Sequence, residues 1–492
     1  MMGVLMLFNG GFMLLSALVG FIYKDSANKG IALAGIVTII IGLIMRFATK
    51  DFAKKIKKKE GYLIVTFGWI FLTLTGTFPY LFSGTIPNFT NAFFETMSGF
   101  TTTGASILND IESMPKGILF WRSMTHWIGG MGIIVLAIAI LPLLGIGGMQ
   151  LFAAEAPGPS ADKLHPRITD TAKRLWYIYL GFTVLQAILL KAAGMTIFDA
   201  INHAMCTLST GGFSTKNASV AYWNDSPLIQ YIIIVFMFIA GTNFVLSYFA
   251  LKGKISKVIN DEEFKFYFLL VILTTLITSV IIYFYVNVSI NPTETQLIAH
   301  PMVLGQAESS FRHALFQVLA VITTTGFVSA DFTIWTPFLS IMFFMLMFFG
   351  ASAGSTAGGV KIVRHIIMVK NSILEFKRTI HPHAIIPVRF NNKSVTKEIV
   401  FNIMAFFILY MITFGLGAAV FGIMGLDFIT SIGTAASSLG NVGPSFGVLS
   451  PVNNYDSLPD IGKWWASFLM LLGRLELFTV LIVLTPYFWR SN

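Results

Sequence analysis

Four short motifs of small residues, each with glycine in the third position, recur along the 492-residue chain. Threonine hydroxyls and backbone carbonyl oxygens can replace the hydration shell of a cation, and glycine accepts the φ angles that turn carbonyls to one side. No ring of carboxylates accompanies the motifs, which favours a dehydrated monovalent cation, potassium before sodium, over calcium or magnesium. The motifs are Thr102-Thr103-Gly104-Ala105, Thr210-Gly211-Gly212-Phe213, Thr324-Thr325-Gly326-Phe327 and Asn441-Val442-Gly443-Pro444.

The four motifs recur in the same context. Their glycines are 108, 114 and 117 residues apart, and each motif follows an apolar stretch too short to cross a bilayer. The residues nine positions before the glycines are Glu95, His203, Gln317 and Thr434. A half-crossing helix would leave its carbonyl end, about half a negative charge, near the bilayer centre. A single copy would fit an ordinary turn between helices, but four copies in register predict re-entrant loops around one cavity.

Two of the residues nine positions upstream invite alternative roles. Glu95 either accepts hydrogen bonds from backbone N–H groups near its half-crossing helix, here called a pore helix, or adds negative charge to an outer cation site. His203 is interpreted as a hydrogen-bonding residue of the second pore helix, because no second histidine lies at metal-ligand spacing. Cys206, the one cysteine, excludes an internal disulfide and is interpreted as a small buried apolar residue.

The elements that must position these motifs are membrane spans, because 55% of the residues are apolar and 11% are charged. Apolar runs of spanning length recur along the whole chain. The first run, Leu5 to Tyr23, lacks the flanks of a signal peptide and is interpreted as a retained helix. Ten spans are predicted, near 4–23, 30–48, 61–82, 121–147, 175–195, 227–250, 265–288, 335–363, 398–424 and 463–489.

Lysine and arginine are distributed unevenly between the two sides of these spans. With the amino and carboxyl termini in the cytoplasm, 24 of the 33 Lys and Arg fall on the inner side, as the positive-inside rule requires. The outer segments are net negative and are expected to attract cations modestly. The lysine-rich run 54–59 is interpreted as a topology determinant, not as a lipid or nucleic-acid patch. The inner basic segments are 46–60, 150–175, 252–265, 361–397 and Arg490.

A glycine-rich stretch lies inside the eighth predicted span. Each of its four glycines costs about 1 kcal/mol relative to alanine in a helix, and the Ser and Thr between them offer alternative hydrogen bonds. The stretch is expected either to break the helix in mid-membrane, below the four glycine motifs, or to form a small-residue seam between helices. Its candidate functional residues are Gly350, Gly354, Ser355, Thr356, Gly358, Gly359 and Lys361.

One basic residue, Arg474, lies well inside the last predicted span. A charge at that depth costs at least about 2.5 kcal/mol unless it faces water or a partner. Arg474 and Glu476 are two positions apart, so they lie on different faces of a helix. Either each of them pairs with a neighbouring repeat, or Arg474 faces the pore as an electrostatic barrier.

These motifs resemble those of the Trk/Ktr/HKT superfamily of potassium transporters, and within it the TrkH/TrkG type of membrane subunit, over essentially the whole chain. The resemblance implies an all-α polytopic membrane protein with four parallel helix–pore loop–helix repeats around one pore, plus two extra N-terminal transmembrane helices. It also implies that the motif residues bind potassium and that their glycines accompany potassium selectivity. It rests on Phe-Glu-Thr-Met-Ser-Gly-Phe-Thr-Thr-Thr-Gly-Ala at 94–105, Ser-Thr-Gly-Gly-Phe-Ser-Thr at 209–215, Thr-Thr-Thr-Gly-Phe at 323–327, Gly-Asn-Val-Gly-Pro at 440–444, Gly350–Arg364 and Leu472–Phe478.

The resemblance also implies how such a pore is gated and where it resides. The intramembrane loop 350–359 would obstruct the pore, with Arg474 as an electrostatic barrier. The implied partner is a TrkA-like cytosolic subunit that binds NAD and ATP, docked on the basic segments 150–175, 252–265 and 361–397. The chain itself would carry potassium as cargo and hold no organic cofactor. It would form a homodimer with one pore per protomer in the lipid bilayer of the bacterial cytoplasmic (inner) membrane and bind no nucleic acid.

The repeats divide the chain into five predicted units. These are 1–58 with two transmembrane helices and a basic linker, 59–165 as repeat 1, 166–260 as repeat 2, 261–390 as repeat 3 and 391–492 as repeat 4. A symporter that couples potassium to protons or sodium remains an alternative. An organic-solute transporter would instead favour inverted repeats and acidic residues within the spans. An enzyme is not expected, because the chain lacks a nucleotide loop, a paired-histidine zinc helix and a serine-nucleophile motif.

Overall fold

The computed structural model describes residues 2–49, 58–135, 168–286, 303–384 and 386–490. Most of the basic segment 150–175 and the end of the span 121–147 lie outside the described residues. The described chain is a polytopic bundle of α-helices with one short hairpin, in which β1 (Arg389–Phe390) pairs antiparallel with β2 (Lys393–Ser394).

The helices are, in chain order, α1 (Met2–Ile22), α2 (Asn28–Ala48), α3 (Lys58–Gly76), α4 (Phe78–Ser83), α5 (Phe89–Phe100), α6 (Lys116–Val135), α7 (Ile168–Ala192), α8 (Ile197–Leu208), α9 (Pro227–Gly241), α10 (Phe244–Leu251), α11 (Ile255–Ile259), α12 (Glu262–Tyr285), α13 (Gln306–Ile322), α14 (Pro337–Leu346), α15 (Ile362–Ile380), α16 (Lys397–Ile423), α17 (Phe428–Gly440), α18 (Asp460–Arg474), α19 (Phe478–Leu484) and α20 (Pro486–Arg490). Short 3₁₀ turns lie at Ser219–Trp223, Phe332–Ile334 and Gly447–Leu449.

Most of the predicted spans correspond to helices of membrane-crossing length. Among the described residues, six spans are long and apolar enough to cross a bilayer, and up to eight if each of two bent helix pairs is one span. Within the predicted span 335–363, α14 ends before the glycine-rich stretch and α15 begins after it, so of the two alternatives the structure shows the break in the helix.

Two spans that the sequence predicts as continuous are broken. α9 and α10 meet at 110°, and α18 and α19 meet at 119°. At the first break, the side chain of Asn243 accepts the N–H of Val245 at 2.8 Å and so starts a new helix. At the second break, Glu476 adopts a left-handed φ of 54°. Hydropathy alone does not reveal such breaks, because each pair taken together is long and apolar enough for one continuous span.

The amino-terminal pair α1 and α2 packs through glycines. A β-carbon on Gly3 would lie 2.6 Å from the carbonyl oxygen of Gly42, and one on Gly10 would lie 2.8 Å from that of Gly35. Each helix has two of these glycines seven residues apart, so two points of close backbone approach line up. This is the small-residue packing that joins helices in a membrane, where apolar burial supplies little attraction.

Four short helices lie inside the bundle, with most of their side chains buried. α5 packs against α6 and α18, α8 against α6 and α7, α13 against α9 and α12, and α17 against α16 and α18. Three of the four begin with a side-chain cap, at Asn88, Thr196 and Asp427. Each of these helices ends at one of the four glycine motifs.

Candidate functional site

The four motifs share one backbone conformation at the ends of their helices. Thr102, Thr210, Thr324 and Asn441 all adopt left-handed φ angles, between 52° and 54°. At the end of α5, Thr102 N–H donates to the carbonyl of Gly99 at 3.0 Å and Thr103 N–H to that of Ser98 at 2.9 Å. This is a Schellman cap, and the same pair of bonds closes α8 and α17. The chain therefore turns sharply out of each helix at the same point.

The shared conformation explains why the fourth motif departs from the threonine pattern. Left-handed backbone is rare for a β-branched residue such as threonine and common for asparagine. Asn441 occupies the position of Thr102 and fits it with less strain. Its amide also donates to Thr103 Oγ1 at 3.0 Å and to the carbonyl of Met470 at 2.9 Å. The substitution thus links the fourth motif to the first.

The four glycines close a ring in chain order. A β-carbon on Gly104 would lie 2.2 Å from the carbonyl oxygen of Gly211, and one on Gly212 would lie 2.0 Å from that of Thr325. A β-carbon on Gly326 would lie 2.2 Å from the carbonyl oxygen of Val442. The ring closes at Gly443, where a β-carbon would lie 2.4 Å from the carbonyl oxygen of Thr103. These glycines have φ between 72° and 97°, so a side chain is excluded by conformation and by space.

The glycine-rich stretch is a loop that lies against the carboxyl ends of three of the four short helices. Ala351 N–H donates to the carbonyl of Ile322, the last residue of α13, at 3.1 Å. Thr356 Oγ1 donates to the carbonyl of Leu208, the last residue of α8, at 2.9 Å. A β-carbon on Gly358 would lie 2.7 Å from the carbonyl oxygen of Gly440 at the end of α17.

The loop has a narrow base and donates a hydrogen bond to the third of the four motifs. Gly350 N–H donates to the carbonyl of Val360 at 2.8 Å, which holds the two ends of the loop together. Gly358 N–H donates to Thr324 Oγ1 at 2.7 Å. The close glycine contacts expected of a helix–helix seam are therefore made by a loop. The ammonium of Lys361 folds back onto the carbonyl of Ala357.

Arg474 is buried and contacts the loop directly. Its guanidinium donates to the carbonyl of Thr356 at 2.7 Å and to that of Gly129 in α6 at 3.0 Å. Glu476 pairs instead with Arg364, at 2.8 Å. Arg474 ends α18, so its charge lies at the break between α18 and α19 and bonds to backbone carbonyls.

Known proteins share this architecture and sequence. The TrkH family of cation transport proteins matches residues 27–489 of the chain. The chain belongs to the TrkH family. The Trk system potassium uptake protein TrkH of Escherichia coli strain K12 is 38% identical, over 99% of this chain and 98% of that protein. TrkG of the same strain is 33% identical, over 97% and 95%. The crystal structure of the potassium transporter TrkH from Vibrio parahaemolyticus has a TM-score of 0.87 at 35% identity, covering 99% of this chain and 98% of that one.

In this TrkH-family chain, the residues nine positions before the glycines have a common structural role. Each bonds a serine just beyond its motif: Glu95 accepts from Ser106 at 3.0 Å, His203 Nε2 lies 2.9 Å from Ser214 Oγ, Gln317 donates to Ser329 at 3.3 Å, and Thr434 lies 3.4 Å from Ser445 Oγ. These bonds attach the segment that follows each motif to the short helix that precedes the motif. His203 is thus a hydrogen-bonding residue, as predicted.

Glu95 also forms a buried ion pair that the sequence did not reveal. Its carboxylate accepts from Arg122 Nε at 2.5 Å and from Ile107 N–H at 2.9 Å. Arg122 donates further to the carbonyl of Ser214 and stacks on the ring of Phe213, 3.6 Å from its centroid. The structure therefore supports the backbone-satisfying role of Glu95 over that of a free outer charge. The sequence did not single out Arg122, because only the fold brings α6 beside the helices of the first two motifs.

The threonine hydroxyls of the motifs are largely engaged within the protein. Thr103 Oγ1 lies 2.8 Å from Thr101 Oγ1, and Thr325 Oγ1 lies 2.7 Å from Thr323 Oγ1. Thr210 Oγ1 donates to the carbonyl of Ser209 at 2.7 Å. Within the described residues, Thr102 Oγ1 is buried without a hydrogen-bond partner. Backbone carbonyls, more than side chains, are thus the oxygen atoms that the motifs leave available.

Glu263, near the start of α12, is a second functional candidate that the sequence did not single out. One carboxylate oxygen accepts the N–H of Ala353 at 2.8 Å and that of Val363 at 3.1 Å. It therefore bonds to the loop and to the first turn of α15, which follows it. In the sequence, only the position of Glu263 two residues after Asp261, which caps α12, sets it apart. Its hydrogen bonds matter because a buried carboxylate needs donors.

The connection between α5 and α6 carries an anionic side chain. Asp110 is exposed between α5 and α6, and the side chain of Asn217 donates to it at 3.3 Å. The hydrogen bonds from Asn217 and Ser113 lower the pKa of Asp110 below its ordinary value. Asp110 is therefore ionised at neutral pH and adds to the modest attraction for cations expected of the outer segments.

Proposed function

We propose that this chain mediates potassium uptake across the cytoplasmic membrane through one pore, whose selectivity filter is the ring of four motifs. The observation that carries the proposal is the closed order of contacts from Gly104 to Gly212, Gly326 and Gly443. The related proteins are named for potassium uptake, and the ring supplies a physical reason for the cargo. Carbonyl oxygens fixed at a constriction replace the water of a weakly hydrated cation.

The filter binds the ion with backbone atoms supported by helix ends. α5, α8, α13 and α17 direct their carbonyl ends at the ring, each worth about half a negative charge. The left-handed turn then redirects the chain so that the next carbonyls reach the neighbouring motif. The filter residues are Thr102, Thr103, Gly104, Thr210, Gly211, Gly212, Thr324, Thr325, Gly326, Asn441, Val442 and Gly443.

The loop from Gly350 to Gly359 is the proposed gate. It packs against the inner ends of the pore helices, where an ion leaving the filter must pass, and Arg474 bonds its Thr356 carbonyl. In that position Arg474 both fixes the loop and repels a cation. Opening requires the loop, with Ser355, Gly358 and Lys361, to move away from the helix ends.

The repeat boundaries at 59–165, 166–260, 261–390 and 391–492 remain part of the proposal, as does an inner-membrane location with both termini in the cytoplasm. A homodimer and a TrkA-like subunit that binds NAD and ATP are proposed partners. α15, with basic residues in its last turn, offers such a subunit a docking element. The chain itself would hold no organic cofactor.

The test is the reversal potential of the purified protein in planar bilayers under imposed potassium, sodium and proton gradients. We expect it to follow the potassium gradient alone. A reversal potential that follows sodium would overturn the filter proposal. A potential displaced by the proton gradient would instead identify a coupled symporter, and uptake of an organic solute without potassium current would exclude the function altogether.

A further inference from the structure

The carbonyl oxygen of Gly443, in the fourth motif, accepts two hydrogen bonds from the protein. Ser437 Oγ donates to it at 2.8 Å and the hydroxyl of Tyr455 donates at 2.8 Å. All three groups are buried, Ser437 with none of its surface exposed and Tyr455 with 3%. Because a carbonyl has no proton to give, both hydroxyls must act as donors in these bonds.

Two donors occupy both lone pairs of that oxygen. A backbone carbonyl has two acceptor sites, and a cation needs at least one of them pointing into its path. The Gly443 oxygen is thus committed to the protein. The carbonyl of Val442, one residue earlier, contacts Gly326 in the ring and is not involved in these bonds.

The other three glycine carbonyls differ from that of Gly443. Within the described residues, no hydrogen bond reaches the carbonyls of Gly104, Gly212 or Gly326. The positions equivalent to Ser437, six residues before each glycine, are Ser98, Cys206 and Ala320. Only Ser98 could donate in the same way, and its buried hydroxyl has no partner in the described part of the chain.

Tyr455 is held in place by the first repeat, so its hydroxyl is not free to turn away. Its N–H donates to the carbonyl of Ser106, just beyond the first motif, at 2.8 Å, and its ring lies 5.5 Å from that of Phe94. The adjoining Asn454 donates to Asn109 at 2.7 Å, and Asn109 donates to Asp456 at 2.9 Å. The bond to Gly443 is thus set by contacts between the first and fourth repeats.

We propose that the glycine level of the filter is three-sided, formed by the carbonyls of Gly104, Gly212 and Gly326, and that Tyr455 and Ser437 determine specificity by withdrawing the fourth carbonyl. This inference rests on the proposed function, because it assumes that the ring conducts potassium. At that level a potassium ion keeps water on the fourth side. A site with fewer fixed oxygen ligands discriminates less between potassium and sodium. Tyr455 and Ser437 therefore limit selectivity.

The test is the ratio of potassium to sodium permeability, from bi-ionic reversal potentials of the full-length protein in bilayers. Tyr455→Phe and Ser437→Ala each free one lone pair of Gly443. We expect each to raise the ratio by roughly two- to tenfold, the factor that one ordinary hydrogen bond is worth, and the double variant to raise it at least as far. A role in merely supporting the filter would lower the ratio instead.

Tyr267→Phe is the matched control, because Tyr267 is fully buried outside the fourth repeat, where its hydroxyl makes a bond of 3.4 Å to Phe238. Its permeability ratio should equal that of the wild type. A ratio that is unchanged or lowered in Tyr455→Phe, Ser437→Ala and the double variant, with potassium current intact, overturns the three-sided filter. A wild-type current that does not follow potassium at all would instead be the failure of the proposed function.

Discussion

The filter ring and the loop beside it are both built on glycine, but they are held in place by different kinds of contact. Each filter motif is fixed largely within its own repeat, by a helix cap and by a bond from the residue nine positions before the glycine to a nearby serine. The loop is fixed largely by single bonds from other repeats, such as those from Arg474 and to Leu208. Bonds within one repeat stay intact when repeats move against one another, whereas single bonds between repeats break when helices shift. The proposed selectivity filter thus lies in the part that is held by bonds within each repeat, and the proposed gate lies in the part that can detach.

The largest effect on the ring of four motifs is expected from Gly212→Ala. The new methyl group would lie 2.0 Å from the carbonyl oxygen of Thr325 at a φ of 79°, so the ring must deform. Such strain costs about 1–3 kcal/mol for the backbone alone, and we expect potassium flux into proteoliposomes to fall by at least about tenfold. Gly181→Ala, in α7 with open space around it, is the control and should transport normally. Normal flux in Gly212→Ala would mean that the ring is not the conduction path.

Removing one partner of the buried ion pair behind the filter should destabilise the protein. Glu95→Ala leaves Arg122 buried without its carboxylate, at a cost of about 3–5 kcal/mol. Glu112→Ala breaks an exposed pair with Lys216, at 3.4 Å, and should cost at most about 1 kcal/mol. The apparent melting temperature in detergent compares the two. Equal melting temperatures would show that the Glu95 pair does not hold the filter.

The Arg474→Ala variant tests the glycine-rich loop, which single bonds from other repeats hold in place. It removes two charged hydrogen bonds to the loop and α6, and a positive charge from the proposed path. Because hydrogen bonds of charged groups are worth about 1.5–3 kcal/mol each, potassium flux should rise, by roughly tenfold. Lys191→Ala, which removes an exposed charge in the last turn of α7, should leave the flux unchanged. Unchanged or lower flux in a normally folded Arg474→Ala protein would rule out the gating role.

Thr356→Val gives a smaller and more local version of the same test. Valine keeps the shape of threonine but cannot donate to the carbonyl of Leu208, a bond worth about 0.5–1.5 kcal/mol. We expect a rise in single-channel open probability of a fewfold. Thr413→Val, which removes a bond of 2.8 Å within α16, provides the comparison. If both valine variants behave alike, the Thr356 bond does not restrain the loop.

Much of the fold and of the filter was predictable from the sequence. Apolar runs located the spans, and the common spacing from Glu95, His203, Gln317 and Thr434 to the glycines located the short inner helices. That spacing is visible because it has a local cause: the bond to a serine eleven or twelve residues further along. The bends at Asn243 and Glu476 were not predicted, because each pair of helices taken together is still long and apolar enough to be interpreted as one span.

The sequence by itself determined that this is a membrane protein with four similar glycine motifs after short helices, because hydropathy, charge asymmetry and local spacing are properties of neighbouring residues. Only the tertiary structure decided which carbonyl meets which glycine, that Arg122 neutralises Glu95, and that Glu263 and Arg474 bond to the loop. It also decided that Tyr455 and Ser437 occupy the fourth glycine carbonyl. Most of these contacts join residues from different repeats or residues far apart within one, and their partners are set by how the repeats close around the axis, which no local pattern records.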